Sequence, residues 1–156
     1  LREAQAMGAS GKAYPAGAPD TDTERFDKGY GVYMTAETAP ADANTKVLLY
    51  GGAGDGVDAG GLDDPSEDKY ISANLVTTNT LPPGVFVQDI TATGPGVCSP
   101  PIPKKVSIHT RRGEAQTNIH AGDACSGASE VTITLESSAG DTKTIVVNKV
   151  GLIYVN

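Results

Sequence analysis

Hydrophobic and polar residues alternate with two different periods along this chain. In the first stretch Leu1, Ala4 and Met7 recur every third residue, with Arg2, Glu3 and Gln5 between them. That spacing gathers the three apolar side chains on one face of a helix. Gly8, Ser10 and Gly11 weaken the pattern and Pro15 stops it, so a helix is expected over 1–14. The polar run AGAPDTDTERFDKG then reads as loop. From Tyr30 onward the period shortens to two. Apolar-rich runs at 30–34, 46–50, 69–76 and 84–90 read as strands, the last entered through the turn signal LPPG. In KVSIH, 105–109, Val106 and Ile108 alternate with polar neighbours, and 114–120 is placed to return as a hairpin partner. The clearest strand is EVTITLE, 130–136, with Val131, Ile133 and Leu135 inward and the threonines outward. SSAGD at 137–141 turns the chain back through 142–147, and 151–155 supplies a final strand. No second helical pattern appears, which excludes parallel β-α-β units. The expected class is α+β: an N-terminal helix over 1–14 packed on antiparallel β-sheet or sheets, with 15–156 as the globular β domain.

Composition narrows the partners. The 156 residues include 19 glycines and 10 prolines, few aromatic residues and no Trp. Exposed ring platforms for sugars or single-stranded nucleic acid are therefore disfavoured. Twelve Lys and Arg against 19 Asp and Glu give a net charge of −7, which works against binding a phosphate backbone. No run of apolar residues is long enough to span a bilayer. Cys98 and Cys125 sit in GPGVCSPP and AGDACSGA. Two cysteines without a CxxC motif are too few for a metal site, which leaves a disulfide or two free thiols. The disulfide is the expectation. It would stabilise by roughly 3 kcal/mol and would place the domain in an oxidising compartment.

Three groups of residues could carry chemistry. Between 51 and 68 the chain reads GGAGDGVDAGGLDDPSED, where Asp55, Asp58, Asp63, Asp64, Glu67 and Asp68 offer hard oxygen ligands on a flexible backbone. Such a loop suits Ca²⁺, although the spacing of an EF-hand and its distal Glu are missing. The plainer reading is a solvated acidic loop. His109 in SIHT and His120 in NIHA read as sheet-surface residues, since no GxSxG elbow and no HExxH motif accompanies them. Arg111 and Arg112 fall at the tip of the hairpin expected after His109, where an arginine pair can hold a phosphate or a partner's carboxylate. Turn solubility is the plainer reading there too. No motif supports an enzyme, a catalytic residue or a small-molecule substrate.

What remains is the order of the elements, and it resembles a known family. LREAQAMGASGK, FDKGYGVYM, LPPGVFV, KVSIHTRRGEA and EVTITLESSAGDTKTIVVNKVGLIYV follow one another as in minor pseudopilins and minor pilins of the GspH/FimT type. The likeness covers most of the chain, apart from the acidic loop and the segment around Cys98. It implies a type IV pilin-like protein, of which Leu1 would fall in the later, amphipathic half of the long N-terminal helix. The leader, the methylated first residue and the apolar half-helix of that family would then precede this sequence. The resemblance further implies a structural subunit, held in the inner membrane by that missing half-helix, with the domain in the periplasm or outside the cell and finally in the fibre. Leu1, Ala4 and Met7 would pack the helix on the sheet, and other pilin or pseudopilin subunits would be the partners. The alternative is a stand-alone extracellular binding module, Ca²⁺-dependent if the acidic loop holds the ion.

Overall fold

The computed structural model describes residues 29–51, 70, 75–94, 104–110, 117–122 and 125–156. Within them the chain forms ten strands and a single 3-10 turn, Ala43–Thr45. The strands are β1 (Tyr30–Thr35), β2 (Lys46–Gly51), β3 (Leu75–Thr80), β4 (Val85–Thr93) and β5 (Lys105–Thr110). They continue with β6 (Thr117–Ala121), β7 (Cys125–Ser126), β8 (Glu130–Ser137), β9 (Thr142–Asn148) and β10 (Ile153–Val155). Two antiparallel sheets result. The larger runs β3-β2-β1-β5-β6-β7 and the smaller runs β10-β9-β8-β4.

The core explains why the chain separates into two sheets. Strand β1 turns Tyr30, Val32 and Met34 to one side, and its register sets Val32 opposite Leu49 of β2 and Ile108 of β5. Ile119 of β6 stands opposite Ile108 in turn. In the smaller sheet, Ile90 of β4 faces Ile133 of β8, which faces Ile145 of β9, while Val131 faces Val147. The buried members of these rows belong to one hydrophobic cluster that draws on both sheets. Alternation with period two thus lines one side of each sheet with branched aliphatic residues, and each such side closes against the other.

That closure corrects the expected α+β class. The inner face of each sheet is covered by the opposite sheet, and no α-helix packs on either among the described residues. The described structure is all-β. The helical spacing of Leu1, Ala4 and Met7 lies outside the described residues, and a local period carries no information about what a sheet will pack against.

Two links lock the sheets together at their edges. Ala128 N–H donates to Ile119 O at 3.0 Å, and Ser129 N–H donates to Thr93 O at 2.8 Å. Gly94 lies directly against the Ala128–Ser129 backbone, and an added Cβ would reach 3.0 Å from Ala128 Cα. The short connection from β7 to β8 is therefore the seam between the layers. The Thr117 N–H to Lys149 O bond, at 2.6 Å, makes a further crossing.

Candidate functional site

Strand alternation also fixes the other face of the larger sheet. Gly31, Tyr33 and Thr35 leave β1 opposite to Val32, and their cross-strand partners share that side. Gly31 stands between Tyr50 of β2 and His109 of β5, and Tyr33 stands between Leu48 and Ser107. Farther along, Ser107 faces His120 of β6 and His109 faces Asn118.

Glycine at position 31 makes room for an aromatic row. A Cβ there would overlap the ring of Tyr50, so the ring lies across the bare backbone. Tyr50 stacks with His109, centroids 6.0 Å apart and planes inclined by 23°. Tyr70 meets Tyr50 edge-on at 5.7 Å and stacks on Tyr33 at 4.6 Å with 29° between planes. Tyr70 is tied to the sheet by its backbone N–H, which donates to Ser107 Oγ at 3.1 Å. The row Tyr33–Tyr70–Tyr50–His109 is thus held by a glycine below and a serine at the side. Beside it opens a cleft of about 120 Å³ lined by Tyr33, Tyr70, Lys105, Val106, Ser107, His120 and Gly122.

Electrostatics in the cleft centre on Tyr33. Burial pushes its phenol above the ordinary value; Glu37 and Tyr70 act in the same direction, and the Thr35 hydrogen bond and the Lys105 ammonium oppose them. The phenol therefore stays protonated and can donate at neutral pH. Tyr30, on the core side of the same strand, is raised by burial as well.

Both histidines depart from the surface placement expected of them. His109 is fully buried and His120 is 2% exposed. They sit on the outer side of the larger sheet, which is buried at Ser107, His109 and His120, so a polar residue in a period-two pattern does not mark solvent here. Sequence pattern could identify the pairing of His109 with the Gly31 strand only after the register of β1 and β5 was known. The one available signal was Gly31 itself, since a glycine inside a strand marks close approach by a neighbour.

The other expected site residues fall elsewhere. Asp55, Asp58, Asp63, Asp64 and Asp68, the arginines Arg111 and Arg112, Cys98, and the helical face of Leu1, Ala4 and Met7 lie outside the described residues. Cys125 is placed in β7, opposite Ala121. Among the described residues no group of three or more His, Cys, Asp or Glu is arranged to hold a metal ion. No described helix is long and apolar enough to cross a membrane. No family model, curated protein or solved structure matches the chain.

Proposed function

We propose that this chain is the β domain of a structural subunit in a type IV pilin-like fibre, of the minor pilin or pseudopilin kind, and that it acts by assembly. The observation that supports this most is the stretch from 130 to 155. There the resemblance in sequence is densest, and β8, β9 and β10 form an uninterrupted antiparallel meander. Of the other four stretches carrying the resemblance, FDKGYGVYM, LPPGVFV and KVSIHTRRGEA contribute β1, β4 and β5 to the same core, and LREAQAMGASGK lies outside the described residues. In this reading the domain is a rigid carrier. The two-layer core fixes the strands, and the connecting loops make contact with neighbouring subunits or cargo outside the cytoplasm. The partners are other pilin or pseudopilin subunits, and the membrane is reached through a segment ahead of Leu1.

The test is made in the cell of origin. The coding sequence upstream of Leu1 should encode a short leader and about twenty apolar residues, enough to cross a bilayer. The mature protein should appear in sheared fibre or pseudopilus fractions and be lost from them when prepilin peptidase is deleted. A start without an apolar segment, or a protein absent from those fractions, removes this reading.

A further inference from the structure

Strand β10 forms one edge of the smaller sheet, and its backbone faces two ways. Asn148 N–H donates to Leu152 O at 3.2 Å, and Asn156 and Thr144 exchange N–H···O bonds of 3.0 and 3.1 Å. In an antiparallel ladder this alternation turns Leu152, Tyr154 and Asn156 toward β9 and turns the N–H and C=O groups of Ile153 and Val155 away from it. Among the described residues no strand pairs with those outward groups. The side chains around them are apolar and open to solvent: Val150 at 54%, Leu152 at 52%, Tyr154 at 49% and Val155 at 68% exposure.

Natural sheets protect such an edge with lysine, proline or a bulge. Here VGLIYV, 150–155, contains no charge and no proline. In a chain of net charge −7 it is a neutral stretch where two copies can meet without setting carboxylates of the two strands against each other. We propose that β10 pairs antiparallel with β10 of a second copy, about a two-fold axis through Tyr154. In that register Ile153 stands opposite Val155 of the copy, and Val155 opposite Ile153. The outward groups of both residues then close four backbone hydrogen bonds. Tyr154 meets Tyr154 of the copy as a pair without backbone bonds, the closer of the two antiparallel spacings at roughly 4.5 Å between Cα atoms. One face of the joint carries the two tyrosines flanked by Leu152, and the other carries Ile153 and Val155. The contact is isologous: what one copy offers is what the other requires. It would join two four-stranded sheets into one.

The edge is short, well below the roughly 1,200 Å² of a stable standard-size interface, so the pairing is weak and depends on concentration. It rests on the geometry of β10 and not on the fibre reading, and either can fail without the other.

Cysteine cross-linking of the full chain reads it directly. Tyr154→Cys sets two thiols opposite each other across the two-fold, at a Cα spacing that a disulfide accepts. Under mild oxidation its disulfide dimer should form about tenfold faster than that of Ala139→Cys, an exposed turn position, because pairing raises the local thiol concentration. The unsubstituted chain sets the background from its own cysteines. Adding Val155→Lys to Tyr154→Cys should return the rate to that of Ala139→Cys, since a lysine on the edge opposes pairing while its exposed position leaves the fold intact. An unchanged melting temperature verifies that the fold is kept. Equal rates for Tyr154→Cys and Ala139→Cys, or a fast rate that Val155→Lys does not lower, would overturn the proposal. An edge used instead by a strand from a different protein gives the first of these results.

Discussion

Gly31 shows how much can depend on one missing side chain. Glycine inside a strand ordinarily costs about 0.5–1 kcal/mol relative to alanine, because more backbone freedom is lost on folding. At position 31 the balance reverses. An alanine Cβ would overlap the ring of Tyr50, which is fully buried and bounded by His109 on one side and Tyr70 on another. Overpacking of this kind costs about 1–3 kcal/mol, more than the entropy that alanine recovers. Gly31→Ala should therefore lower the stability measured by urea unfolding. In Gly31→Ala/Tyr50→Leu the alanine should cost less than it does alone, because the ring it strikes has gone. Additive losses would mean that the ring does not lie over the glycine. The sequence showed this glycine but not its partner. Tyr50 and His109 are separated from it by 19 and 78 positions, and the register of three strands brings them together. The burial of His109 was hidden for the same reason, since the residues beside it alternate as though one side met water.

At the scale of the element, legibility followed the apolar pattern. EVTITLE places Val131 and Ile133 in the core at 0 and 2% exposure, and the SSAGD turn joins β8 to β9 where the composition suggested. Of the strand expected over 69–76, the described residues place Tyr70 outside any strand and Leu75 and Val76 at the start of β3, which runs on to Thr80, beyond the expected end. Its TTNT half lies at a sheet edge, where backbone pairing with β2 forms the strand without an apolar alternation to announce it. The two-residue β7 is too short for any period to register. The turn from β9 to β10 depends instead on one side chain. Asn148 Oδ1 accepts from the N–H groups of Val150 and Leu152, both at 3.1 Å, while Gly151 takes φ +77°. Asn148→Ala removes both bonds, each contributing about 0.5–1.5 kcal/mol. Amide hydrogen exchange at Val150 and Leu152 and along β10 should accelerate, whereas the pairing of β8 with β4, on the far side of the same sheet, should keep its protection until global unfolding. Unchanged exchange at Leu152 would show that the asparagine does not hold the turn.

At the scale of the molecule, the α+β expectation failed because closure of a core is a long-range property. A helical period over 1–14 and strand periods elsewhere were each read locally, and neither states which surface covers which. The single cluster shared by β1, β2, β4, β5, β6, β8 and β9 makes the layers mutually dependent. Ile108 supplies the larger sheet's share and Ile133 the smaller's, both at 2% exposure. Ile133→Ala should cost about 2–5 kcal/mol, the range for deleting a buried aliphatic side chain and leaving part of the cavity open. The loss need not stay in the smaller sheet. If the two layers unfold as one unit, exchange measured under conditions where amides open globally should rise equally in β1 and β5 and in β8 and β9. Ile108→Ala should produce the same uniform rise from the opposite layer. Faster exchange confined to β8 and β9 in the first variant, and to β1 and β5 in the second, would mean that each sheet holds itself. The seam at Ala128 and Ser129 argues for the uniform result, because its hydrogen bonds reach both β6 and β4 from a connection of three residues, 127–129.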